Sequence, residues 1–104
     1  MTNSGEVFLV KTPDRAEGVK KLFGQFDLMD FSGKRVALKA NYNSADPYPA
    51  STCIDTLEAI VKALKEAGVK EITLAERSGM GSTRRVLEQM GVCALSEKLG
   101  FRVV

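Results

Sequence analysis

The sequence predicts an α/β fold, a mainly parallel sheet with helices on both faces, from two observations. Short runs rich in valine, isoleucine and leucine alternate with stretches whose apolar residues recur at helical spacing, and glycine, proline or a capping residue marks the junctions. The short runs are nearly unbroken rather than alternating, as expected of strands buried on both faces of a parallel sheet. Strands and helices in this order imply a three-layer, Rossmann-like arrangement with right-handed β-α-β crossovers.

The elements follow in turn. Residues 6–11 (EVFLVK) read as a first strand, ending at Thr12-Pro13-Asp14, where Thr12 can cap a helix and Pro13 suits its first turn. Ala16, Val19, Leu22, Phe23 and Phe26 mark the apolar side of that helix. A second strand, KRVALKA (34–40), follows the turn DFSG. Thr52 and Asp55 then have the spacing of a capping box. Behind it, Ile54, Leu57, Ile60, Val61 and Leu64 form a buried stripe, with Glu58–Lys62 and Lys62–Glu66 one turn apart outside and Gly68 as a left-handed stop. EITLAE (71–76) is a third strand. STRRVLEQMG (82–91) and ALSEKLG (94–100) are helical and end on glycines, and FRVV (101–104) is a fourth strand.

With 104 residues, 44% of them apolar and 27% charged, residues 1–104 form one globular domain or the amino-terminal part of a larger one. The 15 basic and 13 acidic residues are spread along the chain, which argues against a nucleic-acid partner. No apolar run reaches the roughly 18 residues of a membrane span, and Met1 to Glu6 lack a signal-peptide pattern, so a cytoplasmic location is expected. The sequence reaches Val104 directly on its fourth strand. An uncovered sheet there implies either a homodimer or a missing carboxyl-terminal domain.

Histidine is absent, which removes histidine-based triads, imidazole proton shuttling and most transition-metal sites. Cys53 and Cys93 are far apart, without CxxC spacing, and two thiolates do not hold a cubane iron–sulfur cluster.

Ligands of open α/β sheets collect at the carboxyl ends of the strands. Two loops emerge there. The first carries Lys39, Asn41, Asn43, Ser44, Asp46, Ser51 and Thr52 to one helix start, and the second carries Glu76, Arg77, Ser78, Gly79, Gly81, Ser82 and Thr83 to the next. Helix amino termini beside Lys39 and Arg77 suit a small anionic ligand, a carboxylate or a phosphate. Other uses of the same residues stay open. Asn41, Asn43, Asp46 and Glu76 offer hard oxygens for Mg²⁺ or Ca²⁺, and a desolvated Lys39 beside Glu76 would form an acid–base pair. Equally, Gly79-Met80-Gly81 reads as a tight turn with Ser82 as cap, matching neither a P-loop nor a full GxGxxG, and Asn41-Tyr42-Asn43 as an Asx-rich turn. Tyr42 and Tyr48 either pack over the loop or stack on a ligand. Cys53 and Cys93 read most simply as packed thiols.

The span from VALKANYNSADPYPASTC to STRRVLEQMG resembles the family called domain of unknown function 362, and the likeness extends over nearly the whole chain, from VFLVK (7–11) to FRVV (101–104). The shared features are a strand ending Lys-x-Asn, a Ser/Thr-Thr helix start, a helix closing KEAG, and a strand ending in an acidic residue before a Ser/Gly turn. The resemblance implies an α/β domain within a larger protein, often described as iron–sulfur-associated because many members carry a ferredoxin-like cysteine cluster further along. This sequence contains no such cluster, so no iron–sulfur cofactor is assigned to it. Cys53-Ile54 also replace the usual His-Pro. Lys39, Asn41, Ser51, Thr52, Glu76, Ser78 and Gly79 match the family pattern and carry over as site candidates. Two functions are compatible with this reading: an enzyme in which Lys39 and Glu76 do acid–base or binding work, and a noncatalytic scaffold or binding module of a redox-related protein.

Overall fold

Three strands, β1 (Arg35–Leu38), β2 (Glu71–Leu74) and β3 (Arg102–Val103), lie in the order β1-β2-β3 and are all parallel. They belong to a computed structural model that describes residues 4–79 and 81–104. Val36 stands opposite Ile72, Leu38 opposite Leu74, and Leu74 opposite Val103. Side chains alternate between sheet faces, so these apolar residues share one face. They belong to the core or pack against it, whereas Arg35, Ala37 and Arg102 on the other face are exposed. Among the described residues, apolar packing therefore covers one face, and the second helical layer expected from the sequence is not seen.

The core forms where that face meets the helices. In α2 (Ile54–Glu66), Leu57, Val61 and Leu64 are buried and Ile54 and Ile60 pack beside them, the predicted stripe. Val86 and Leu87 of α3 (Thr83–Gln89) and Val92 and Leu95 of α4 (Val92–Leu99) close the other side. Burying an aliphatic side chain of this size contributes about 1.5–3 kcal/mol, so this cluster dominates the stability of the fold. α1 (Arg15–Phe23) packs on α2 and buries only Gly18, and a 3₁₀ turn over Leu28–Phe31 leads into β1. Glu58 of α2 pairs with Lys62 as expected, and also with Lys98 of α4, both at 3.2 Å.

Several expected boundaries move for identifiable reasons. Residues 6–11 join no sheet. Phe8 stacks edge-on against Phe26 at 5.5 Å, while Val7 and Leu9 are 92% and 95% exposed. The segment is thus half-buried and unpaired, not a strand covered on both sides. The cap of α1 is Asp14, whose carboxylate accepts the Glu17 N–H at 3.1 Å, because the Thr12 hydroxyl accepts the Asp14 N–H. Thr52 does not cap α2. Its hydroxyl accepts the Asn41 N–H at 2.9 Å, and Cys53 takes the cap position without a side-chain hydrogen bond. Ser82 likewise precedes α3 without capping it through its side chain. α4 begins two residues before the predicted piece, since Gly91, at φ 82°, turns the chain directly into Val92.

Candidate functional site

Both strand-end loops leave the sheet on the same edge, and the side-chain alternation of the strands runs on into them. Val36, Leu38, Ala40 and Tyr42 follow one another on the inward side of the first chain, and Ile72, Leu74, Glu76 and Ser78 on that of the second. A two-residue period places a tyrosine and a glutamate where leucines stood before them. Tyr42 is fully buried, and the Glu76 side chain is 1% exposed.

Hydrogen bonds tie the two loops together. The Ser78 hydroxyl donates to the Tyr42 carbonyl at 2.6 Å, and the Gly79 N–H donates to Asn43 Oδ1 at 2.7 Å. A methyl group on Gly79 would collide with that same Asn43 oxygen, so any larger residue would have to displace the Asn43 side chain and break the tie. The Ser78 N–H donates to the Thr83 hydroxyl at 2.9 Å. Within the first loop, Thr52 N–H donates to the Asn41 carbonyl, Asn41 Nδ2 to the Ala50 carbonyl, Ser44 to Asp46, and Ser51 to the Ser44 carbonyl. The Asn, Ser and Thr side chains of the loop thus satisfy a long irregular backbone, and Asp46 holds the Ser44 hydroxyl.

The Glu76 carboxylate accepts from Lys39 Nζ at 2.8 Å and from the Arg77 N–H at 3.1 Å, both on Oε1. Its Oε2 is buried with no partner among the described residues. Lys39 Nζ also donates to the Ala40 carbonyl. Two of the three ammonium donors are thereby used, and the third is open to solvent. Lys39 is 67% exposed, which corrects the expectation of a desolvated lysine base. The buried member of the pair is the glutamate.

Tyr42, for which the sequence left open packing over the loop or stacking on a ligand, is packed inside. Its hydroxyl, too, is buried and partnerless. Burial, and then electrostatic interaction with Cys53 and Glu76, push the phenol up to about 12, so it stays protonated and able to donate at neutral pH. The alternation from Val36 through Ala40 was the signal that placed it inside.

The remaining candidates separate. Gly81 and Ser82 line a hollow of about 320 Å³ with Ser44, Asp46 and Arg85, whereas Glu76 lines a different cleft of about 700 Å³ between β3, α3 and α4. Met80, between the two glycines, lies outside the described residues. Tyr48 is capped by the Arg15 guanidinium, 4.7 Å above its ring. The oxygen donors considered for a hard cation are dispersed: Asn41 to Ala50, Asn43 to Gly79, Asp46 to Ser44, Glu76 to Lys39. No three Asp, Glu, Cys or His residues come together to hold a metal ion among the described residues. No described helix is long and apolar enough to cross a membrane.

With this geometry in hand, the family model described as Domain of unknown function (DUF362) matches residues 36–104. The chain belongs to that family. No curated protein and no solved structure matches it. The DUF362 match begins at Val36 in β1 and takes in every candidate residue from Lys39 to Ser82, including the Lys39–Glu76 pair and Tyr42. The unpaired segment 6–11 and α1 lie before it.

Proposed function

We propose that the carboxyl edge of the sheet binds a small anionic ligand, a carboxylate or phosphate, as part of a larger cytoplasmic enzyme of the iron–sulfur-associated type. The observation that carries this reading is the Lys39–Glu76 pair. A glutamate buried to 1% exposure is costly to keep charged, and an apolar residue at an inward strand position would be more stabilising. Here it holds Lys39 at the carboxyl edge with one donor free, and the exposed Arg77 follows Glu76 directly in the chain. An anion there would meet the Lys39 ammonium and, from the next residue of the second loop, Arg77. Lys39, solvent-exposed and paired with Glu76, contributes its remaining N–H to that anion. The same reading gives the exposed face of Arg35, Ala37 and Arg102 to a second helical layer, from a homodimer partner or a further domain, completing a three-layer Rossmann-like sheet.

Native mass spectrometry of the protein purified without oxygen, followed by calorimetry with inorganic phosphate and succinate, tests the reading. A retained mass or a binding isotherm that disappears in Lys39→Ala is the expected result. Equal phosphate and succinate binding by wild type, Lys39→Ala and Arg77→Ala would sink it.

The alternative is a noncatalytic binding module. The amides of Ser78 and Gly79, which an anion-binding turn would leave open, are taken by Thr83 and Asn43. If Glu76→Gln and Lys39→Ala lose ligand together and no variant or wild type shows turnover, the domain is a binding module.

A further inference from the structure

The cleft between β3, α3 and α4 calls for a different ligand. Its volume of about 700 Å³ is that of a site for a small organic molecule. Leu87, Phe101, Val103 and Val104 give it apolar walls, and Glu76 stands among its lining residues. We propose that this cleft binds a small organic ammonium ion, its hydrocarbon body against Leu87, Phe101 and Val103 and its N–H donors on Glu76 Oε2.

Three features converge on that chemistry. Glu76 Oε2 is buried and has no donor among the described residues, although its side chain is 1% exposed. A buried carboxylate oxygen left without a donor is strongly unfavourable, and a charged N–H is the group that satisfies it best. Next, both guanidinium groups of the cleft are already matched: Arg84 with Glu88 at 3.1 Å and Arg102 with Glu71 at 3.2 Å. The cleft's uncompensated charge is therefore negative, since Glu97 on its rim has no ion pair among the described residues. Anions are repelled here and cations drawn in. Finally, the apolar walls reward a hydrocarbon body over a bare metal ion or inorganic cation. Glu76 is shared with the anion site, but Lys39 and Arg77 do not line this cleft, so Arg77→Ala tests the anion site and Glu97→Lys tests this one.

The test is a titration of ¹⁵N-labelled protein with 2-phenylethylamine, 2-phenylethanol and phenylacetate at neutral pH, read as amide shifts. The amine is expected to move Leu87, Phe101 and Val103, with the alcohol at least about tenfold weaker, as the loss of one charge-assisted hydrogen bond implies. Glu76→Gln should bring the amine down to the level of the alcohol and leave the alcohol unchanged. Glu97→Lys, a surface change that leaves the core intact, should weaken the amine and strengthen phenylacetate. Shifts from phenylacetate at Lys39 and Arg77 report the anion site independently. Equal binding of amine and alcohol, amine binding indifferent to both substitutions, or no shift at the cleft with the amine in large excess overturns the proposal.

Discussion

Tyr42→Phe removes one oxygen atom from the middle of the site, and its effect on stability has a sign that depends on pH. At pH 7 the hydroxyl is buried and partnerless, so it is desolvated without return. Removing such a group should stabilise the fold by about 1 kcal/mol or more. Above neutrality the balance shifts further. The folded phenol titrates at about 12 against 10.0 unfolded, so between these values the folded state holds a proton that the unfolded state releases. A raised folded value means that its contribution is complete below pH 10 and is lost as pH rises toward 12. Two units correspond to about 2.7 kcal/mol in full, of which about 1.4 kcal/mol is lost by pH 11. Urea unfolding of wild type and Tyr42→Phe in parallel at pH 7, 9, 10 and 11 isolates this group, because the other titrations cancel in the difference. The phenylalanine variant should gain about 1.4 kcal/mol on wild type between pH 7 and 11. A flat difference would refute the burial argument. A variant less stable than wild type at pH 7 would show that the hydroxyl has a partner, a bound water or ligand, in solution.

The loop ties give a second prediction: Asn43→Ala and Gly79→Ala each remove the 2.7 Å bond between the loops and should each destabilise by about 1 kcal/mol. Because both break the same bond, the double variant should fall short of the sum in urea titrations, and strict additivity would count against the tie. Val7→Ser and Leu9→Ser touch side chains that are almost fully exposed and should change stability by no more than about 0.5 kcal/mol. A drop in melting temperature of several degrees would mean that these residues are covered in solution. Hydrogen bonds from Lys62 and then Lys98 hold the Glu58 carboxyl below its usual range. Its contribution is present above that range and fades as pH falls through the lowered value, so Glu58→Gln should flatten the acid limb of the stability profile measured at low salt.

What the sequence revealed of the fold follows from how many neighbours each signal needed. The α2 stripe and the stops at Gly68, Gly91 and Gly100 were legible because helical periodicity and a left-handed turn are local properties. Segment 6–11 was misread because its composition satisfies a strand, while strand formation needs a partner that composition does not name. Capping was misread for a related reason. Thr12 and Thr52 have the right chemistry for an N-cap, but other backbone amides, of Asp14 and Asn41, reach their hydroxyls first. The site was legible in outline, since parallel strands bring their carboxyl ends to one edge. Which of the two partners in the Lys39–Glu76 pair lies inside was not, although counting by twos from Ile72 through Leu74 would have set Glu76 inward.

Accounting for the polar residues of this edge narrows where function resides. Asn41, Asn43, Ser51, Thr52, Ser78 and Thr83 each have a backbone partner, so their presence is explained by the loops they hold together. Two atoms escape that explanation, the Tyr42 hydroxyl and Glu76 Oε2, both sealed from solvent and both without partners among the described residues. A loop needs neither of them. Phenylalanine would fill the first position and leucine the second, with more apolar burial and no desolvated group. Polar atoms kept at inward positions against that gradient are the ones whose substitution should separate binding from folding. For Tyr42→Phe and Glu76→Gln, unchanged or raised stability together with lost ligand would assign these two atoms to function, and lowered stability without any change in ligand would return them to the core.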